Sequence, residues 1–261
     1  MSVAGKIALV TGAGTGIGKG IATELGKRGA KVAVHYNRSD AGAIETKRDI
    51  EEAGGEAMLV QANVAYKQDI DRMVGQVAEQ WGGVDILVNN AALQLNYSFF
   101  EYDDDKFDKL MHINLKGYWQ CMQAVVPYMK ERGAGRIILI SSIHSKRPTD
   151  FDPVYGMTKG GIRMLGREAA IELARYGITV NAIEPGSVKV GVQSARESKP
   201  FLSDELRERV KLLPDNFARK FPLGRVGLPS DVASLVCYIA SDESVFMNGA
   251  AIRLDGGSMH L

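Results

Sequence analysis

The sequence predicts a single-domain α/β fold, a doubly wound seven-stranded parallel sheet flanked by helices. Three observations carry this. Short apolar, β-rich runs recur along the chain, the stretches between them mostly have room for a helix, and 261 residues suit one generous domain better than two full ones. The runs are Ile7–Val10, Lys31–His35, Ala57–Gln61, Ile86–Val88, Arg136–Ile140, Thr179–Ile183 and Ala250–Leu254. Between them, Ile17–Arg28, Ala41–Ala53 and Asp69–Trp81 show helical periodicity with charged faces. The last two stop at Gly54-Gly55 and Gly82-Gly83, a C-terminal cap signal. Right-handed crossovers then favour a sheet wound in both directions. One long stretch breaks the rhythm: Ser187–Pro222, with prolines at 200, 214 and 222, follows the sixth strand and reads as a substrate lid.

Charge is nearly balanced, 32 Lys+Arg against 31 Asp+Glu, which argues against a surface built to grip nucleic acid or anionic lipid. Bulk disorder is excluded by 45% hydrophobic and 24% charged residues. Cys121 and Cys237 lie in apolar helical stretches, so buried thiols in a reducing compartment are expected. No CxxC spacing suggests a metal site. The amino terminus runs straight into a strand without signal-peptide features, and no run approaches a membrane span, so a cytoplasmic location is expected.

The first strand ends in Thr11-Gly12-Ala13-Gly14-Thr15-Gly16-Ile17-Gly18 and a helix follows. Glycines permit a tight turn, and a helix N-terminus offers free N–H groups to a pyrophosphate. The second strand leads into Tyr36-Asn37-Arg38-Ser39. An NAD-preferring dinucleotide fold places a carboxylate here for the ribose 2′-hydroxyl. No acid occurs before Asp40, while Arg38 and Ser39 suit a 2′-phosphate, so NADP(H) is favoured and NAD(H) is the alternative.

Tyr155 and Lys159 are i,i+4 in a helical segment running on through Arg175 and share one face. At ~4 Å and an effective dielectric of about 20, ammonium–phenolate attraction is about 4 kcal/mol, enough to lower a tyrosine by at most about 3 pKa units. Ser142, just past the fifth strand, is placed to hold a substrate oxygen. A Ser-His-Asp hydrolase lacks support because no GxSxG surrounds this serine. Asn114 is a polar residue in an apolar-periodic helix, readable as a core amide or as part of a site. Asn89-Asn90-Ala91-Ala92 follows the fourth strand, on the cofactor side.

Taken together, these motifs resemble the short-chain dehydrogenase/reductase family, over Gly5 to Gly257. Thr11–Gly18 resembles its TGxxxGxG motif, Asn89–Ala92 its NNAG motif and Pro185-Gly186 its PG motif. Asn114, Ser142, Tyr155 and Lys159 fall on its catalytic tetrad. The resemblance implies a Rossmann fold, NAD(P)-dependent alcohol–carbonyl interconversion and a homotetramer. In it, Tyr155 is the general acid or base, Lys159 lowers its pKa and binds ribose, Ser142 polarises the substrate oxygen, and Asn114 helps hold a relay water. Cofactor contacts are expected from Gly12, Thr15, Gly16, Ile17, Gly18, Tyr36, Asn37, Arg38, Ser39, Asn63, Val64, Asn90, Ala91, Tyr155, Lys159, Pro185, Gly186 and Val188. Three departures bear on cofactor affinity: Ala92 for glycine, Asn63 for aspartate and Val190 for threonine.

Within the family, Ser141-Ser142-Ile143-His144 resembles glucose 1-dehydrogenase-like members, and other features resemble 3-oxoacyl-carrier-protein-reductase-like ones. Gln94, Ser142, His144 and Tyr155, with Asn96 and Asp150, suit a sugar, polyol or other small hydroxylated substrate. A carrier-protein reductase would need a basic patch, for which Lys130, Arg132 and Arg136 are candidates. Phe99, Phe100, Phe201 and Phe217 read as core packing or as contacts for an apolar ketone. A catalytically silent NAD(P)-binding regulator would be expected to lack Tyr155 or Lys159, and both are present.

Overall fold

The computed structural model describes residues 2–148, 152–190 and 221–260. Seven strands, all paired in parallel, form one sheet in the order β3-β2-β1-β4-β5-β6-β7. They are β1 (Ile7–Val10), β2 (Lys31–Tyr36), β3 (Glu56–Gln61), β4 (Ile86–Asn89), β5 (Gly135–Ile140), β6 (Ile178–Pro185) and β7 (Ala251–Leu254). The helices are α1 (Gly16–Lys27), α2 (Asp40–Glu52), α3 (Lys67–Trp81), α4 (Asp104–Met111), α5 (Gly117–Arg132), α6 (Pro153–Leu173) and α7 (Pro229–Ala240). Each expected strand is present, shifted by at most two residues at an end. Most of the lid expected at about 187–222 lies outside the described residues.

Strand side chains alternate between two cores, as a sheet covered on both faces requires. Ile7 and Leu9 point into a core shared with α3, α5 and α6, and Ala8 and Val10 into one shared with α1 and α7. Each is at most 6% exposed, so both faces of β1 are dry. Gly82 and Gly133 take the left-handed conformation just past α3 and α5, and so stop those helices. Winding reverses between β1 and β4, and the crevice at such a reversal is where open α/β sheets bind ligands. No helix among the described residues is long and apolar enough to cross a membrane.

Candidate active site

The turns expected to hold the cofactor lie just past the carboxyl ends of β1, β2, β3, β4 and β6, and Ser142 just past that of β5. The turn after β1 is held before any ligand arrives. Thr11 Oγ1 accepts the backbone N–H groups of Asn90 and Ala91 at 2.8 and 3.0 Å. Asn90 Nδ2 donates back to the Thr11 and Gly12 carbonyls at 2.9 and 3.2 Å. Asn90 is thus a strut for the turn. The Gly12 N–H is donated to Nδ1 of His35 at 2.9 Å, so Nε2 carries the proton and donates to the Ala62 carbonyl at 3.0 Å. His35 is 1% exposed, and burial lowers it to about 4. Sequence reasoning missed this residue, because a histidine inside a strand carries no motif.

Glycine serves internal packing as well as approach to a ligand. A Cβ on Gly18 would lie 2.1 Å from the Gly12 carbonyl oxygen, and one on Gly14 would lie 2.4 Å from Ser39 Oγ. Gly12 and Gly16 have φ of +66° and +55°, where other residues are strained. Thr15 opens α1 without a side-chain cap, and the first turn, containing Ile17 and Gly18, has no acid. Leaving those N–H groups and the positive helix end unopposed fits the diphosphate of a dinucleotide.

Past β2, Tyr36 and Ser39 are half-buried, Asn37 and Arg38 are exposed, and Arg38 makes no ion pair among the described residues. Asn63 Oδ1 accepts from Ala65 N at 3.1 Å, shaping the turn that carries Val64. Ala91 is half-buried. Pro185 ends β6, Gly186 N donates to the Leu254 carbonyl, and Val188 bridges Gly227. A Cβ on Gly186 would come 2.8 Å from that of Asp255, so the strand must leave the sheet on a glycine.

Ser142, Tyr155 and Lys159 meet above β5. Ser142, extended and two residues past β5, caps the turn 143–145 with its hydroxyl oxygen, which accepts from His144 N at 3.2 Å. The Ser142 hydroxyl neighbours Tyr155 and favours its ionised form. One turn along α6, Lys159 is 2% exposed, its Nζ donates to the Ile140 carbonyl at 2.9 Å, and it lies 5.4 Å from the Tyr155 ring centre. Burial lowers Lys159 to about 7. Tyr155 is raised to about 12, by burial first and by the charge of Asp152, against the Ser142 hydroxyl. The sequence expectation of a phenol lowered by its lysine is not met in the protein alone, where loss of water raises Tyr155 and lowers Lys159.

Asp152, fully buried, caps α6 by accepting from Tyr155 N at 3.3 Å and also accepts from the Tyr102 hydroxyl at 3.0 Å; the Gln94 side chain is near enough to favour its ionised form. Burial raises it to about 6. His144 stands edge-on to Tyr155, ring centres 6.3 Å apart. Gln94 and His144 thus both reach the rim around Tyr155. Asn114 is fully buried, but in a π-helical turn (His112–Lys116) rather than an unbroken α-helix. Its Oδ1 accepts from Leu93 N at 2.8 Å and its Nδ2 donates to Leu93 O at 2.7 Å, so the amide clamps the strand-four loop.

Other expectations are revised. Phe99 and Phe100 are 74% and 94% exposed and not core, while Phe201, Phe217 and Asp150 lie outside the described residues. Arg132 and Arg136 are paired with Asp85 and Asp242, and Lys130 lies 4.0 Å over the Tyr176 ring, so these charges do not form a free basic patch.

A family model described as "Enoyl-(Acyl carrier protein) reductase" matches residues 12–259. The chain is 36% identical over 252 residues to the 3-oxoacyl-[acyl-carrier-protein] reductase FabG of Staphylococcus epidermidis, covering 97% of this chain and 98% of that protein. It is 33% identical over 259 residues to the hydroxynaphthalene reductase-like protein Arp2 of Metarhizium guizhouense, covering 99% and 96%. Among solved structures, the gluconate 5-dehydrogenase from Burkholderia cenocepacia J2315 in complex with NADP and tartrate superposes with a TM-score of 0.86 at 29% identity, covering 100% of this chain and 97% of that one.

Proposed function

Because the chain belongs to the short-chain dehydrogenase/reductase family, and so to the oxidoreductases that work with NAD(P), we propose that it interconverts a secondary alcohol and a carbonyl on a sugar, polyol or other small hydroxylated substrate. The observation that carries this is the turn opened by Ser142 packed against Tyr155, with Lys159 buried one turn behind at 5.4 Å from the phenol ring, on the same sheet edge as the uncapped start of α1. The nicotinamide supplies or accepts the hydride when bound. In reduction, Tyr155 donates its hydroxyl proton to the substrate oxygen while Ser142 donates a hydrogen bond to the same atom; in oxidation the proton returns. Lys159 places a charge behind the phenol that favours its ionised form. Gln94 and His144, polar groups at the rim, suit further substrate hydroxyls.

The likeness to a gluconate dehydrogenase favours the polyol reading, and the likeness to FabG favours a 3-oxoacyl thioester. The paired state of Arg132 and Arg136 weighs against a carrier-protein dock there. The test is cofactor absorbance against polyols, aldonates, sugars and acetoacetyl thioesters with each cofactor. Turnover of the thioester alone would overturn the substrate reading. Tyr155→Phe is expected to abolish turnover and leave NADPH binding intact; near-normal turnover would overturn the site.

NADP(H) preference is supported by Arg38, exposed and without an ion pair among the described residues, and by the NADP held in the gluconate 5-dehydrogenase structure. Arg38→Glu is expected to raise the Michaelis constant for NADP at least about ten-fold, the loss of one charge-assisted pair. Assembly into a homotetramer is supported by an apolar groove lined by Met111, Leu115, Trp119, Met164 and Leu165, with Trp119 46% and Met164 52% exposed. Two unpaired, buried cysteines support a cytoplasmic setting.

A further inference from the structure

We propose that Glu184 is a positioning residue, a buried carboxylate that ties the turn carrying Ser142 to the helix carrying Tyr155. Glu184 lies one residue before the end of β6 and is fully buried. Its Oε1 accepts from Ser145 Oγ at 2.6 Å and from Arg163 Nη1 at 2.9 Å, and its Oε2 lies 3.4 Å from Lys146 Nζ. Arg163 follows Lys159 by four residues, so Tyr155, Lys159 and Arg163 lie along one stripe of α6. Ser145 closes the turn that Ser142 opens, its own N–H donating to the Ser142 carbonyl at 3.0 Å. One carboxylate therefore joins three elements: the proton-donor helix, the serine turn and the strand that feeds Pro185-Gly186.

The geometry explains why an acid stands here. The turn 143–145 is a single 3₁₀ turn, too short to hold its own orientation, and it must keep the Ser142 hydroxyl against Tyr155. Charge-assisted bonds from two sides are shorter and more directional than apolar contact and fix the separation of turn and helix. A shift of about 1 Å between reacting groups is enough to cost about a hundred-fold in rate. The polar partners of Glu184 among the described residues are Ser145, Lys146 and Arg163, not Ser142 or Tyr155, so its effect passes through Ser145 and Arg163.

The inference rests on the proton-transfer reading of Ser142 and Tyr155. The test uses the full-length protein, NADPH, and the carbonyl substrate turned over fastest in the panel. Glu184→Gln and Ser145→Ala are each expected to lower kcat about ten-fold or more, with the NADPH dissociation constant, read by protein fluorescence, within about two-fold of wild type. Ser145→Thr keeps the hydroxyl and is expected to restore most of kcat. A purely structural role predicts another pattern: lower melting temperature, unchanged kcat at low temperature, and equal behaviour of Ser145→Ala and Ser145→Thr. That pattern overturns the proposal. Should Glu184→Gln fail to fold, the Ser145 pair decides. Wild-type protein that binds NADPH but turns over no carbonyl sinks the underlying reading as well; active wild type with equally active variants sinks only this inference.

Discussion

His35 is uncharged in the folded protein because one ring nitrogen must accept from Gly12 while the ring is out of water. Its pKa is near 4 when folded and near 6.5 when unfolded. The unfolded chain therefore binds the extra proton in that window, and stability is lost as pH falls through it. Asp152, raised to about 6 by burial, acts with the opposite sign over part of the same range, so wild type alone will not isolate the effect. The comparison with His35→Asn does: the stability gap, measured by urea unfolding, is expected to narrow by about 3 kcal/mol from pH 6.5 to 4. A constant gap would refute the assignment. Lys159 gives a second prediction. With a pKa near 7 it loses its charge as pH rises, so kcat/KM for reduction should decline above that point. Lys159→Arg, charged throughout, should move or remove that decline in a pH–rate profile, whatever its absolute rate. Tyr155 and Lys159 stood out by their i,i+4 spacing and Ser142 by its place past a strand, and resemblance to the family joined them into one candidate site. His35 and Asp152 were not, since their roles depend on contacts with Gly12 and Tyr102 that span 23 and 50 residues.

Among the elements, the π-helical turn between α4 and α5 does what an α-helix would not. One wider turn rotates Asn114 inward, where its amide meets both backbone groups of Leu93. Asn114→Ala leaves the part-buried N–H and C=O of Leu93 without that partner and is expected to lower stability by about 1–3 kcal/mol, read as a shifted denaturation midpoint. Unchanged stability would show that water replaces the amide. A tighter demand lies in α1, where Gly18→Ala drives a methyl against Gly12 O. Weakened NADPH binding and a lower melting temperature should appear together. The periodicity of α1, α2 and α3 and the glycines after α2 and α3 made these helices readable. The π turn was hidden because its residues keep an ordinary apolar rhythm, and only tertiary contact selects the extra residue.

For the molecule as a whole, the alternation of apolar runs and amphipathic segments was enough to state a parallel sheet, because parallel strands need crossovers and crossovers cover both faces. What alternation does not state is strand order. The β1–β4 neighbour relation that opens the crevice emerged only from pairing in space. The uncovered apolar groove beside α5 and α6 belongs to the same scale. Trp119→Glu with Met164→Glu is expected to reduce the molecular mass in light scattering to that of a smaller assembly. An unchanged mass would place the subunit contacts elsewhere.

The turn after β1 is cross-tied by Thr11, Asn90 and His35. If the diphosphate of the proposed cofactor docks at the neighbouring start of α1, it meets a turn whose ordering cost was met when the chain folded. Under that reading, capture of this end of the dinucleotide needs no rearrangement of the turn, and conformational steps of the cycle fall to other parts of the molecule.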